Sequence, residues 1–191
     1  MIDHVPAPLL GGVGLLERAI DYTLGSLQGV APQAMSRPTP CRAWDLRALL
    51  DHLDESLLAL HEAAHGHVPL TPADPSASAD PVAVVRERAG RLLGAWTAAG
   101  RSQVTIGDTA LTTGLLTSAG AIEIAVHGWD VSQAVGRHHP LPPALAEELL
   151  ALTPFLVSDL DRPARFATPV AVPPGAPAGE RLLALLGRRP Q

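Results

Sequence analysis

A chain of 191 residues that is 47% hydrophobic is too apolar for a disordered sequence and long enough to bury a core as one domain. A formal charge of −5, with every basic residue an arginine and none clustered, excludes a nucleic-acid partner, because phosphate binding needs concentrated cations. The one cysteine, Cys41, excludes a disulfide framework and a four-cysteine metal site and fits the reducing cytoplasm, and no apolar run is long enough for a membrane partner.

The first sixteen residues hold an apolar run without a basic leader, interrupted by Pro6, Pro8 and a glycine cluster, so no signal peptide is expected. Proline, at 19 residues, is the oddest feature of the composition. It removes a backbone donor and breaks helices, so the Pro-free windows 9–31, 41–68, 82–139, 144–153 and 178–189 are where helices can lie. In the first, Leu15, Leu16, Ala19, Ile20, Tyr22, Thr23, Leu24 and Leu27 recur at helical spacing until Gly29 and Pro32. The second has a rigid extended lead-in over 37–44, an N-cap at Asp45, and a buried stripe of Leu46, Leu49, Leu50, Leu53, Leu57 and Leu60. Gly66 and Pro69 end it, and 69–81 reads as a loop. A third helix spans Val82 to about Ala99, with Gly100 as its stop. The Thr- and Val-bearing stretch 102–113, with Gly107-Asp108, reads as a short irregular or strand-like connection. A fourth helix runs from about Leu115 to Val135, and a weaker fifth covers roughly 143–157. The tail combines a Pro-rich strap with a short helix over Glu180 to Leu186. Four principal helices with little strand signal predict an all-α fold, a helical bundle.

The stretch Ala121 to Gly136 is the most informative. Positions i, i+4 and i+7 share a helical face, so Glu123, His127 and Asp130 form one polar stripe among Ile122, Val126 and Trp129. A Glu and a His four residues apart can reach one ion from successive turns, and a solvated helix edge is the plain alternative. His52 adjoins the leucine stripe of the second helix. It is either a hydrogen-bonded boundary residue or a third ligand pointing into the bundle. Two imidazole nitrogens and one carboxylate suit zinc with a position left for water or substrate, and Asp130 would then be a fourth ligand or an acceptor that orients an imidazole. A rival lies at His61-Glu62-Ala63-Ala64-His65, which matches the H-E-x-x-H pattern of metalloproteases. It falls in the last turn of its helix with no further ligand pattern after it, so a polar helix end is the simpler reading. His138-His139 before Pro140 reads as a surface turn, and Cys41 as a packed small residue. No G-x-S-x-G, P-loop or dinucleotide fingerprint is present.

Several segments together resemble one group: Pro38-Thr39-Pro40-Cys41 with Trp44, Leu49-Leu50-Asp51-His52-Leu53, Val126-His127-Gly128-Trp129-Asp130-Val131, Pro169-Val170, and Arg181 through Arg188. The group is the DinB-like superfamily, and within it the metal-binding proteins related to the metal-binding domain of mycothiol-dependent maleylpyruvate isomerase. The resemblance covers nearly the whole chain in order. It implies a four-helix bundle with a divalent metal, usually assigned as zinc, held by His52 on the second helix and by Glu123 and His127 on a later one. It also implies mycothiol or a related thiol as cosubstrate, since a thiol bound to a metal loses its proton near neutral pH and can attack an electrophilic carbon.

The resulting expectation is a single domain over 1–191, with a bundle core over 9–157 and a strap and short helix over 158–191. Its function is a cytoplasmic metal-dependent enzyme in which His52, Glu123 and His127 hold the metal and Asp130 supports catalysis. It activates a low-molecular-weight thiol for transfer to, or isomerisation of, a small electrophilic metabolite. The isomerase carries a second domain, so a thiol S-transferase or tailoring enzyme fits a single domain better. The alternatives are a non-catalytic metal-binding bundle and the H-E-x-x-H protease. Leucine-rich faces leave a homodimer open, because core and interface use the same residues. The loop at 69–81 and the strap at 163–177 are the segments expected to shape the pocket mouth.

Overall fold

The computed structural model describes residues 12–41, 44–69, 80–100, 102–162 and 166–190. Its elements in chain order are α1 (Gly12–Ser26), α2 (Leu46–Ala64), β1 (His67–Val68), α3 (Pro81–Ala99), β2 (Gln103–Ile106), β3 (Thr109–Thr112), α4 (Thr113–Ala134), α5 (Pro143–Leu156) and α6 (Ala178–Leu185). Single 3-10 turns occupy Pro32–Ala34 and Asp159–Asp161.

The helix starts follow from capping chemistry. Asp45 and Asp80 accept hydrogen bonds from the amides of Ala48 and Ala83 at 2.9 and 3.0 Å, satisfying donors that have no partner inside the helix. Pro81 opens α3, where its missing N–H costs nothing. Thr112 caps α4, which begins two residues before the expected Leu115.

Helix α4 is buried on nearly all sides. It packs most extensively on α1 and also on α2 and α5, while α3 lies on α2 and α6 on α5. Arg88 of α3 pairs with Asp54 of α2, with Nη2 at 3.0 Å from Oδ2. Leu182, Leu183 and Leu186 join the same buried cluster as the leucines of α1, α2 and α5, so the C-terminal helix is packed into the core.

The fold is mostly helical, as the periodicity implied, and the all-α expectation is amended by a small three-stranded sheet in the order β1-β2-β3. The strand-like reading of 102–113 resolves into a β-hairpin pairing Gln103 with Thr112 and Ile106 with Thr109. The remaining strand, β1, falls between Gly66 and Pro69, where the sequence signals only the end of the second helix. His67 and Val68 pair in parallel with Thr105 and Ile106, a long-range contact that a two-residue segment cannot announce by itself. Residues 70–79 of the expected loop and 163–165 of the strap lie outside the described residues. Among the described residues no helix is long and apolar enough to cross a membrane.

Candidate metal centre

The site forms where α2 meets α4. The leucine stripe of α2 turns Leu49, Leu50 and Leu53 fully inward, and His52, beside that stripe, is left half-buried at the α4 boundary. Close approach of the neighbouring helices depends on small residues in α4. A Cβ on Gly128 would fall 2.4 Å from Thr23 Oγ1 and 3.1 Å from Thr23 Cα of α1, so only glycine fits there. In turn, Thr23 Oγ1 donates to the Ile124 carbonyl at 2.8 Å, stitching the two helices together beside the polar stripe.

His52 Nε2 lies 2.6 Å from Glu123 Oε1, and His127 Nε2 lies 3.1 Å from the same oxygen. One ligand atom from each of the three residues falls within 4.8 Å of the others, and among the described residues this is the group of three or more that could share an ion. The other nitrogen of His127, Nδ1, donates to Asp130 Oδ2 at 3.0 Å. Asp130 is 0% exposed, and both its oxygens face Arg188, with Nη2 at 2.8 Å and Nε at 3.4 Å. Exposure is graded across the cluster: the side chains of His52 and Glu123 are 29% and 32% exposed and that of His127 only 7%. The mouth therefore opens on the His52 and Glu123 side, and the floor is closed by His127, Asp130 and Arg188.

Electrostatics follow from the same contacts. Burial alone would raise the Glu123 pKa, but hydrogen bonds with His127 and His52 outweigh it and hold the carboxyl well below the usual carboxylate range. For His127 burial would lower the pKa, and its hydrogen bonds to Asp130 and Glu123 reverse the sign, pushing it up to about 9. Burial likewise opposes ionisation of Asp130, and the hydrogen bond from His127 and the charge of Arg188 lower its pKa all the same.

Trp44 covers one flank. Its ring centroid is 4.4 Å from that of His52 and 5.8 Å from that of His127. The lead-in holds it there: Trp44 N donates to the Cys41 carbonyl at 2.9 Å, Thr39 Oγ1 lies 2.9 Å from the Trp44 carbonyl, and Leu46 N donates to Arg37 O at 2.9 Å. Cys41, in the same lead-in, is half-buried.

The structure thus brings His52, Glu123, His127 and Asp130 into one connected cluster. It does not bring the His61, Glu62 and His65 group to it. His65 is exposed at the helix end, its Nδ1 facing the His61 carbonyl at 2.9 Å, and the two rings lie 4.8 Å apart. His138 and His139 differ from each other: His139 stacks on Tyr22 with centroids 4.8 Å apart and Tyr22 Oη donates to its carbonyl at 2.6 Å. His138 instead joins Trp129, Leu141, Leu183 and Pro177 around a cavity of about 350 Å³, the described end of the strap forming part of its wall. Sequence reading missed the roles of Trp44 and Arg188. Both lay within the segments that carried the resemblance, but Arg188 is 58 residues from Asp130, and Trp44 reaches His127 of α4 as well as the nearby His52 only once the helices pack.

The chain is 29% identical over 181 residues, 90% of its length and 94% of theirs, to uncharacterised proteins from two strains of Mycobacterium tuberculosis. No solved structure matches it significantly. A family match, to the mycothiol maleylpyruvate isomerase N-terminal domain, covers residues 16–132 and so takes in the helices that carry His52, Glu123, His127 and Asp130. The helical scaffold, the clustered His and Glu side chains and this match lead to one assignment: the chain belongs to the mycothiol maleylpyruvate isomerase N-terminal domain family.

Proposed function

We propose that the protein is a metal-dependent enzyme of the DinB-like type, with α1 to α4 as its four-helix bundle, that activates a low-molecular-weight thiol resembling mycothiol for reaction with a small electrophile. The observation that carries this reading is the convergence of one ligand atom each from His52, Glu123 and His127 within 4.8 Å. The donor set fits a divalent cation: two imidazole nitrogens and a carboxylate, with a carboxylate behind one imidazole, is the pattern of zinc sites that keep a position open. Zinc is therefore the metal we favour. When bound, such an ion supplies the positive charge that keeps a thiol sulfur deprotonated near neutral pH.

The protein's own groups do the rest. Asp130 holds a proton on His127 Nδ1, so Nε2, which donates to Glu123 while His127 is protonated, is the nitrogen that would give up its proton to hold a metal. Trp44 packs on both imidazoles, while the partial exposure of His52 and Glu123 leaves the cluster accessible to a thiol and its electrophile. That graded exposure favours a reacting site over a purely structural ion, whose ligands would be enclosed. A reducing cytoplasm is the compartment in which such a thiol persists.

A second reading has its own observation. Glu123 Oε1 contacts both imidazoles, so the cluster can satisfy itself by hydrogen bonding, as in a non-catalytic bundle. The deciding experiment measures metal content of the purified protein and then incubates the loaded protein with mycothiol and a panel of electrophiles. One equivalent of metal and a thiol adduct formed only in its presence are expected. Bound metal without thiol-dependent product across the panel selects the non-catalytic bundle instead.

A further inference from the structure

We infer that Arg188 is a positioning residue of the metal centre, acting through Asp130 on the imidazole of His127; this rests on the metal reading above. Arg188 lies beyond the stretch matched by the family, which ends at residue 132. It is nonetheless 8% exposed, with its guanidinium turned into the floor of the site.

The local structure aims it there. Helix α6 ends in a Schellman motif, in which Arg188 N donates to the Leu183 carbonyl at 2.8 Å and Gly187 N to the Ala184 carbonyl at 3.0 Å. Gly187 sits at φ 79°, a conformation that suits glycine, and a Cβ there would come within 2.6 Å of Ala167 Cβ and 2.8 Å of its carbonyl oxygen. The strap is thus pressed against the helix end, and Val170 N donates to the Ala184 carbonyl at 2.9 Å. Arg188 leaves this turn in one direction. Its Nη1 donates to the Leu186 carbonyl at 3.0 Å, and Nε and Nη2 face the two oxygens of Asp130.

A carboxylate with only one partner can rotate about its terminal torsion. Held on both oxygens by a planar fork it cannot, and its orientation sets that of the imidazole it accepts from. Asp130 meets this description: Oδ2 receives His127 Nδ1 and Arg188 Nη2, and Oδ1 receives Arg188 Nε. The last turn of the chain therefore governs where His127 Nε2 points.

The test titrates the full-length protein with Zn²⁺ and Co²⁺ alone, in competition with a chromogenic chelator. It compares wild type with Arg188→Gln, Arg188→Lys, Asp130→Asn and the double variant Asp130→Asn/Arg188→Gln. Arg188→Gln is expected to weaken binding about 10–100-fold and to shift the visible spectrum of bound Co²⁺, which reports ligand geometry. Arg188→Lys keeps the charge but loses the fork, and is expected to fall between the two. The double variant is expected to bind no more weakly than Asp130→Asn, since both changes act through one contact. Should Arg188→Gln not fold, the lysine variant and the Co²⁺ spectrum carry the comparison. Unchanged affinity and spectrum in the Arg188 variants, while His127→Ala abolishes binding, overturn the positioning role and leave the metal reading intact. Additive losses in the double variant overturn the route through Asp130. No binding to wild type overturns both readings.

Discussion

Trp44 lies against His52, ring centroids 4.4 Å apart and planes tilted by 38°, so the residue just ahead of the α2 cap packs on the same helix's candidate ligand two turns later. An aromatic wall of this kind restricts the imidazole's rotamers and keeps water off one side of it. Trp44→Ala is expected to free His52 and weaken metal binding about tenfold, and Trp44→Phe to retain most of the affinity. Isothermal titration with Zn²⁺ checks this, and an alanine variant with wild-type affinity would show that the wall plays no part.

The ligand set makes a sharper prediction. His52→Ala, Glu123→Gln and His127→Ala are each expected to lose metal affinity by roughly 100-fold or more, because a site of three protein ligands has none to spare. His61→Ala and His65→Ala are expected to match wild type, as their rings lie at the exposed end of α2. Metal content by atomic emission distinguishes the two groups. The reverse pattern would move the centre to the H-E-x-x-H segment.

For protein stripped with a chelator, the pH dependence of stability follows from His127. Its folded pKa is raised from 6.5 to about 9, so protonation stabilises the fold fully below 6.5 and that contribution is lost as pH rises towards 9. The melting temperature of stripped protein is therefore expected to fall between those values. Metal must displace the same proton, so apparent affinity is expected to rise about tenfold per pH unit across that window. Melting curves and competition titrations at pH 6.5, 7.5 and 8.5 test both, and a flat affinity would contradict the assignment of His127 as ligand.

Packing at Gly128 gives a prediction independent of metal. Gly128→Ala would place a methyl group 2.4 Å from Thr23 Oγ1 and force α1 away from α4, with an expected loss of about 1–3 kcal/mol in urea unfolding. Thr23→Ala in the same background is expected to restore part of it, since it removes the clashing hydroxyl. Absence of any loss in Gly128→Ala would mean that the two helices yield easily at this contact.

The helices were legible because their determinants are local. Leu46 through Leu60 recur at helical spacing, Asp45 caps α2 three residues ahead of the amide it binds, and proline is absent from the interiors of α2 and α4. The hairpin was legible only as a change of composition around Gly107-Asp108. Strand β1 was not, since two residues acquire strand character only from the partner they pair with.

Glu123 and His127 stand one turn apart on one helix, so their sequence spacing alone put them on a common face, and the same reasoning brought Asp130 within reach of His127. That His52 meets them was a matter of packing: it depends on how closely α2 and α4 approach, which side chains from three helices decide jointly. Arg188 depends on still more, on a left-handed turn at Gly187 and a strap pressed against Ala167 that aim a distant arginine at Asp130. Sequence by itself determined the helices and the polar stripe, because backbone propensity and i, i+4 geometry act over a few residues. Only the tertiary structure decided the third ligand, the aromatic wall and the arginine beneath the site, because contacts between remote segments arise from the packing of the whole core.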